Sequence, residues 1–393
     1  MHKRKFQPGI DVLLFRHKRW LRGRRIGLVS HTAAVDSHGC MSSERLWRSS
    51  DVDLVCLLGP EHGFFGRAAA GASCRSTRHP DWHIPVYSLY GKTRQPTPRM
   101  LREVDTLVVD MQDIGARPYT YVSTLKLVIE AAASAGKEVV VADRPIPLPN
   151  TVDGPIVAEG FESFVSLIEA PMSYGMTPGE TALWIKENSD LDVDLKIACM
   201  DGYHRDAARG QDWPPWIPPS PAMLSWESAK CFAATVCMEG LAALDHGRRT
   251  SLPFQVFGSR WTKGDDVSSA LTARRLPGVH FYPHRYIPFP GKKRGNAING
   301  VRMTISSPDR FRPILTAVTI IDVLQELYGT DRIWKSKGVH EDFFDKLLGT
   351  DAVRSNLKKG RNARSISAEW TGDLARFRRS RKKHLLYDKG SAA

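Results

Sequence analysis

The chain has 393 residues, of which 42% are apolar and 25% charged, enough for two domains of ordinary size and a substantial core, which excludes a disordered or fibrous chain. Lys and Arg number 56 against 42 Asp and Glu, a formal charge of +14 that favours an anionic partner without choosing among nucleic acid, membrane surface and acidic small molecule. Much of the excess sits in Lys3, Arg4 and Lys5, in residues 16–25 and after Lys358, where solvated faces and tails account for it.

The N-terminus is basic, but Arg16 cuts off the apolar stretch Leu13 to Phe15, so no signal-type segment is read, and no run approaches the ~20 apolar residues of a membrane span. A cytoplasmic protein with no membrane partner is expected. The cysteines Cys40, Cys56, Cys74, Cys199, Cys231 and Cys237 include no C-x-x-C pair and no matched histidines, so reduced thiols and no metal site are expected.

Five short apolar runs then follow, each ending in small and polar residues. Arg25-Ile26-Gly27-Leu28-Val29 ends in Ser30-His31, and Leu54-Val55-Cys56-Leu57-Leu58 in Gly59-Pro60-Glu61-His62-Gly63. Ile84-Pro85-Val86-Tyr87 ends in Ser88-Leu89-Tyr90-Gly91, Thr106-Leu107-Val108-Val109 in Asp110-Met111-Gln112-Asp113, and Val139-Val140-Val141-Ala142 in Asp143-Arg144-Pro145. Runs of this length without alternation suit strands buried on both faces of a parallel sheet. An Ala-rich helix over 125–135, stopped by Gly136, completes a β-α-β rhythm. The expected fold class is α/β, a Rossmann-like doubly wound, mostly parallel sheet, with a smaller C-terminal α+β domain.

Residues 143–227 are rich in Pro and Gly and read as ordered loops draped over the sheet edge, with one short helix over 178–188. In the last third a helix is expected over 309–329, where Phe311, Ile314, Leu315, Val318, Ile321, Leu324 and Tyr328 recur at helical spacing, and another over 367–386. The division expected is a catalytic domain over 8–229 and an auxiliary domain over 230–393 that contributes to the cleft.

Several chemistries fail on spacing. No G-x-G-x-x-G follows a strand, Gly91-Lys92-Thr93 lacks the first glycine of a P-loop, and no G-x-S-x-G elbow occurs. His79 and His83 are separated by Pro80 with no carboxylate at ligand spacing. No cofactor is expected.

Ligands of doubly wound sheets bind beyond the carboxyl ends of the strands, where all these polar clusters fall. Glu61, flanked by Gly59-Pro60 and by His62 and Gly63, is placed to protonate a glycosidic oxygen; its structural alternative is to bind nearby loop amides. Asp110, Gln112, Asp113, Arg117, Tyr119 and Tyr121 form a second cluster of the kind that holds sugars; alternatively Asp110 caps a helix, Arg117 pairs with it and the tyrosines are core. Arg144 offers a fork for a carboxylate or an internal pair with Asp143 or Asp110. Glu180 opens a helix, where a capping role competes. Glu239, and Arg248 in Gly247-Arg248-Arg249-Thr250, flank a loop able to close over the sheet.

In this order the clusters resemble the exo-β-N-acetylmuramidase family of glycoside hydrolases. The matching stretches are Gly9-Ile10-Asp11-Val12-Leu13, Gly59-Pro60-Glu61-His62-Gly63-Phe64, Pro85-Val86-Tyr87-Ser88-Leu89-Tyr90-Gly91 and Asp110-Met111-Gln112-Asp113-Ile114-Gly115-Ala116-Arg117. Tyr119-Thr120-Tyr121, Asp143-Arg144-Pro145, Tyr174-Gly175-Met176-Thr177-Pro178-Gly179-Glu180, Pro218-Pro219-Ser220-Pro221 and the tail from Trp370 to Tyr387 continue the resemblance over nearly the whole chain. It implies a cleft between two domains and release of N-acetylmuramic acid from non-reducing ends of peptidoglycan fragments in cell-wall recycling. A lactyl carboxylate on that substrate would give Arg117, Arg144 or Arg248 an anion to bind. Glu61 would be the acid, and Asp113, Asp110 or Glu239 the second group. Departures cluster on one rim: Leu241-Ala242 where the family has Thr-Asn, Arg249 for a Gly, and Ala222 for an Asn. Two other classes stay in view, a nucleotide-linked enzyme and a catalytically altered binding protein for anionic glycan or nucleic acid, although no nucleic-acid-binding signature occurs.

Overall fold

The structure is a computed structural model that describes residues 5–206, 209–210, 212–289 and 296–387. Its main sheet is built from β1 (Arg25–Ser30), β2 (Asp53–Gly59), β3 (Thr77–Arg78), β4 (Pro85–Ser88), β5 (Thr106–Asp110), β6 (Glu138–Ala142) and β7 (Leu195–Ala198). The seven strands lie in the order β3-β4-β2-β1-β5-β6-β7, parallel throughout except β3, which pairs antiparallel with β4. All five expected strands are present. On β5, Leu107 and Val109 pack into one core cluster and Val108 into another on the opposite face, so both faces of the central strands are covered.

Two strands escaped the sequence reading. β7 is an edge strand, mostly half-exposed, and its Lys196 pairs with Glu138 on β6; β3 is only two residues long and exposed. Residues 143–227 are therefore not loops alone: besides β7 they hold the helix Pro178–Asn188, capped by Thr177.

β1 pairs with both β2 and β5. The chain winds outward from β1 through β2 to β4, then returns to β5 and winds the other way through β6 to β7. The switch point is thus the carboxyl end of β1, with Gly59 ending β2 on one side and Asp110 ending β5 on the other.

The C-terminal part holds an antiparallel sheet of β8 (Val256–Phe257), β9 (Val279–Tyr286) and β10 (Ile298–Ile305), in the order β8-β10-β9. Against it lies the helix Pro313–Tyr328, which is shorter than expected because Pro313 occupies its first turn. Every residue from Pro313 to Gln325 is buried, as befits a helix enclosed on all sides. Its N-terminus is capped from the other half of the chain: Asp153 Oδ2 accepts from the amides of Ile314 (2.8 Å) and Leu315 (3.1 Å). The expected helix over 367–386 divides into Ala363–Ala368, Thr371–Arg381 and a 3₁₀ turn, Lys382–His384, with the first break at Trp370, which leaves helical geometry just before Gly372.

One apolar core cluster runs from Val29 on β1 to Phe377 near the C-terminus, so the two parts share an interior. Among the described residues no helix is long and apolar enough to cross a membrane.

Candidate active site

The switch point opens into a cleft of about 290 Å³. The sheet side supplies Glu61, His62, Tyr90, Tyr119, Thr120 and Tyr121; the other wall comes from Phe232, Val236, Glu239, Arg248, Phe254, Phe343 and Leu347, with Ser220 and Met223 between. Apolar walls around a few convergent polar groups are the usual composition of a small-molecule site.

The turn after β2 aims Glu61. Gly59 allows the chain to fold back, because a Cβ there would stand 2.2 Å from the Phe64 amide nitrogen. Gly63 N–H closes the turn on Pro60 O at 2.9 Å, and His62 takes the left-handed conformation (φ 70°) usually left to glycine, Asn or Asp. A 2.8 Å contact from His62 Nδ1 to Ala68 O holds it there. Glu61 is only 8% exposed: Oε1 accepts from the Gly71 amide at 2.7 Å, and Oε2 meets the Thr120 hydroxyl at 2.6 Å. The amide and the hydroxyl both donate, so each carboxyl oxygen of Glu61 is held by one hydrogen bond.

Glu239 faces the same cleft from a 3₁₀ turn, Val236–Gly240, at the end of the helix Trp226–Thr235. Its Oε1 lies 3.2 Å from Arg248 Nη2 and 3.7 Å from His246 Nε2. Burial favours the protonated acid, but His246 and the Arg248 guanidinium outweigh it and hold the carboxyl below the ordinary range. The cleft thus has two carboxylates, one from each part of the chain.

Tyr119 and Tyr121 are both core and cleft. They are nearly covered, burial pushes their phenols well above the usual range, and Tyr121 donates to Pro219 O at 2.6 Å, which ties down the proline-rich strap that presents Ser220.

Of the residues nominated from sequence, Glu61, His62, Tyr119, Tyr121, Glu239 and Arg248 are brought together, and the six others do not line this cleft; Gln112 and Arg144 line a separate small pocket. Asp110 is wholly buried and bound by one edge of the Arg144 guanidinium: Nε donates to Oδ1, and Nη2 to Oδ2 at 2.9 Å. Gln112 spends its side-chain amide on Asp113 O and Pro145 O, while its backbone amide donates to His31 Nε2; burial, Arg144 and His62 push the His31 ring down to about 3 and keep it neutral. Asp113 accepts from Tyr174 (2.6 Å) and from the Ile114 amide (2.8 Å), with burial lifting its pKa to about 6. Glu180 closes a capping box with Thr177 and is clamped by Arg205, the capping alternative.

Arg117 is fully buried and meets no carboxylate among the described residues. Nη2 donates to Leu348 O at 2.6 Å, capping the C-terminus of the helix Glu341–Leu348, while Nε and Nη1 have no partner; burial alone drops its pKa to about 9. That helix lends Phe343 and Leu347 to the cleft, and Pro118, Tyr119 and Thr120 follow Arg117 directly, so Arg117 ties the two walls together.

Tyr90, Thr120 and Ser220 also line the cleft, and no pattern in the sequence marks them. Of the rim departures, Leu241 is buried, whereas Ala242 and Arg249 are exposed. Among the described residues no group of three or more His, Cys, Asp or Glu is placed to hold a metal.

A protein from Bacillus subtilis (strain 168) described as peptidoglycan beta-N-acetylmuramidase NamZ is 36% identical over 386 residues, covering 98% of this chain and 92% of that one. Two crystal structures of DUF1343 family proteins from Bacteroides fragilis NCTC 9343 share the fold, one at 32% identity with a TM-score of 0.90 and one at 25% with 0.75; each comparison covers 98% of this chain and 99% of the other. Residues 26–227 match the N-terminal part, and residues 230–387 the C-terminal part, of the family described as exo-beta-N-acetylmuramidase NamZ. The chain belongs to the NamZ family of exo-β-N-acetylmuramidases.

Proposed function

We propose that this protein is a glycosidase that removes a β-linked N-acetylmuramic acid from the non-reducing end of peptidoglycan fragments, with Glu61 as general acid and Glu239 as the second carboxyl group. The observation that carries the assignment is that these two carboxylates face one partly apolar cleft from opposite walls in a member of this family. Glycosidases need one carboxyl group to deliver a proton to the departing oxygen and a second that stays ionised as positive charge builds on the sugar. The Thr120 hydroxyl and the Gly71 amide donate to Glu61 and hold its carboxyl at the cleft wall, and the Arg248 and His246 side chains keep Glu239 anionic. Tyr119, Tyr121, Phe232 and Phe254 line the cleft as faces for the ring. Asp110 and Asp113 are proposed as supports rather than reacting groups, being spent on Arg144 and on Tyr174 with Ile114. The natural location proposed is the cytoplasm, with an anionic glycan fragment as the partner.

The test is release of nitrophenol from para-nitrophenyl β-N-acetylmuramide, with the N-acetylglucosamine analogue and Glu61→Gln and Glu239→Gln proteins in parallel. The expected result is turnover of the muramide, with kcat lowered about 10²- to 10⁴-fold by Glu61→Gln. A folded wild-type protein that turns over neither sugar overturns the assignment.

A further inference from the structure

The arginines nominated as anion binders all have partners: Arg144 has Asp110, Arg117 a helix terminus, and Arg248 has Glu239 within the cleft. A sugar acid entering this cleft needs a cation that is free to meet it. Such a group stands at the rim, on the loop after β4. The Arg94 guanidinium carbon lies 3.6 Å from the Tyr90 ring centroid and 4.5 Å from that of Phe164, with the two rings 5.5 Å apart. Tyr90 lines the cleft beside Glu61, and Val165, next to Phe164, lines it too, so the stack straddles its edge. Arg94 is exposed and, among the described residues, takes part in no ion pair.

A guanidinium held over aromatic faces is positioned beforehand, and its N–H groups that do not face the rings stay available for a carboxylate. The cation therefore costs little to order when a ligand arrives. Neither Arg94 nor Phe164 falls in a stretch that carried the family resemblance.

We infer that Arg94, held over the Tyr90 and Phe164 rings at the mouth of the cleft, binds a carboxylate of the glycan substrate and so selects sugar acids over neutral amino sugars. The inference rests on the glycosidase reading for its substrate class, and it has a readout that does not need turnover. Binding of free N-acetylmuramic acid and of N-acetylglucosamine to the full chain is measured by calorimetry for wild type, Arg94→Gln and Arg94→Lys. Wild type is expected to favour the acid sugar by about 10- to 100-fold, as a charge-assisted contact gives; Arg94→Gln loses that preference and Arg94→Lys keeps part of it. In kinetics, Arg94→Gln raises KM by the same factor and leaves kcat within about threefold.

Two substrates separate the sources of the carboxylate. A KM rise on para-nitrophenyl β-N-acetylmuramide assigns it to the lactyl group of the terminal sugar. A rise confined to a longer muramic-acid-containing glycan assigns it to the departing part. Arg94→Gln with unchanged binding of both sugars and unchanged KM on both substrates overturns the inference. So does a fall in kcat with binding intact, which would make Arg94 a prop for Tyr90. A wild type that binds the acid sugar through Arg94 but does not hydrolyse muramides leaves the inference standing and removes the glycosidase reading.

Discussion

The buried pair at the ends of β5 and β6 gives the sharpest test of which carboxylates react. Asp110 and Arg144 have side chains 0% and 3% exposed, joined by two parallel hydrogen bonds, with Ser42 Oγ accepting a further bond from Nη2 at 3.2 Å. Asp110→Ala leaves a guanidinium in a dry site with only a hydroxyl for company. Removing one member of such a pair costs about 3–5 kcal/mol, a fall in melting temperature of roughly 4–6 °C for a chain of this size. Arg144→Met strands the carboxylate and should cost a similar amount. The double variant, Asp110→Leu with Arg144→Met, replaces the pair by apolar groups and should recover most of the loss. Calorimetric melts of the four proteins are read beside kcat on the muramide at 25 °C. The expected kcat of the folded variants stays within about tenfold of wild type, well short of the loss of a reacting group. An Asp110→Asn protein that melts like wild type and has lost more than about 10²-fold in kcat would refute this reasoning and return Asp110 to the chemistry.

Three further outcomes are expected. Gly349→Ala should destabilise by about 1–3 kcal/mol in denaturant titration, since φ is 78° and its Cβ would stand 2.9 Å from two guanidinium nitrogens of Arg117; an effect below about 0.5 kcal/mol would deny the tight contact. Asp113 binds its proton more strongly folded, at about 6, than an unfolded aspartate near 3.9, so its buried charge is a penalty absent at low pH that grows as pH rises through this window. Asp113→Asn should therefore gain stability relative to wild type by up to roughly 3 kcal/mol between pH 4 and 7, and a pH-independent difference would contradict it. Arg248→Gln removes a cation that helps hold Glu239 below the ordinary range, so the acid limb of kcat/KM should move to higher pH; an unmoved limb assigns it to another group.

The parallel sheet was legible because its central strands are buried on both faces, which leaves uninterrupted apolar runs such as Val139-Val140-Val141. The edge strand β7, Leu195–Ala198, alternates with Lys196 and carries no such signal. Glu61 was legible because a charged residue at the end of a buried strand has few uses. Arg117 was not, since its partner at Leu348 is 231 residues away and only packing across the two parts decides whether it faces solvent, substrate or a helix end. Tyr90, Thr120 and Ser220 were not legible, because nothing local distinguishes a tyrosine or hydroxyl that faces a cleft from one that faces the core.

The interior running from Val29 to Phe377 also governs how the molecule can move. Enzymes whose lobes pack separately swing about a hinge to trap what they bind. Here the lobes share one apolar interior, and Asp153 of the first lobe is wedged into the start of the second lobe's central helix. Parting them would expose that interior to water, so the pocket behaves as a rigid socket, and unfolding should occur as a single event rather than lobe by lobe. A ligand in such a socket is selected by a shape that already exists, of which the loop bearing Gly71, whose amide donates to Glu61, is a part.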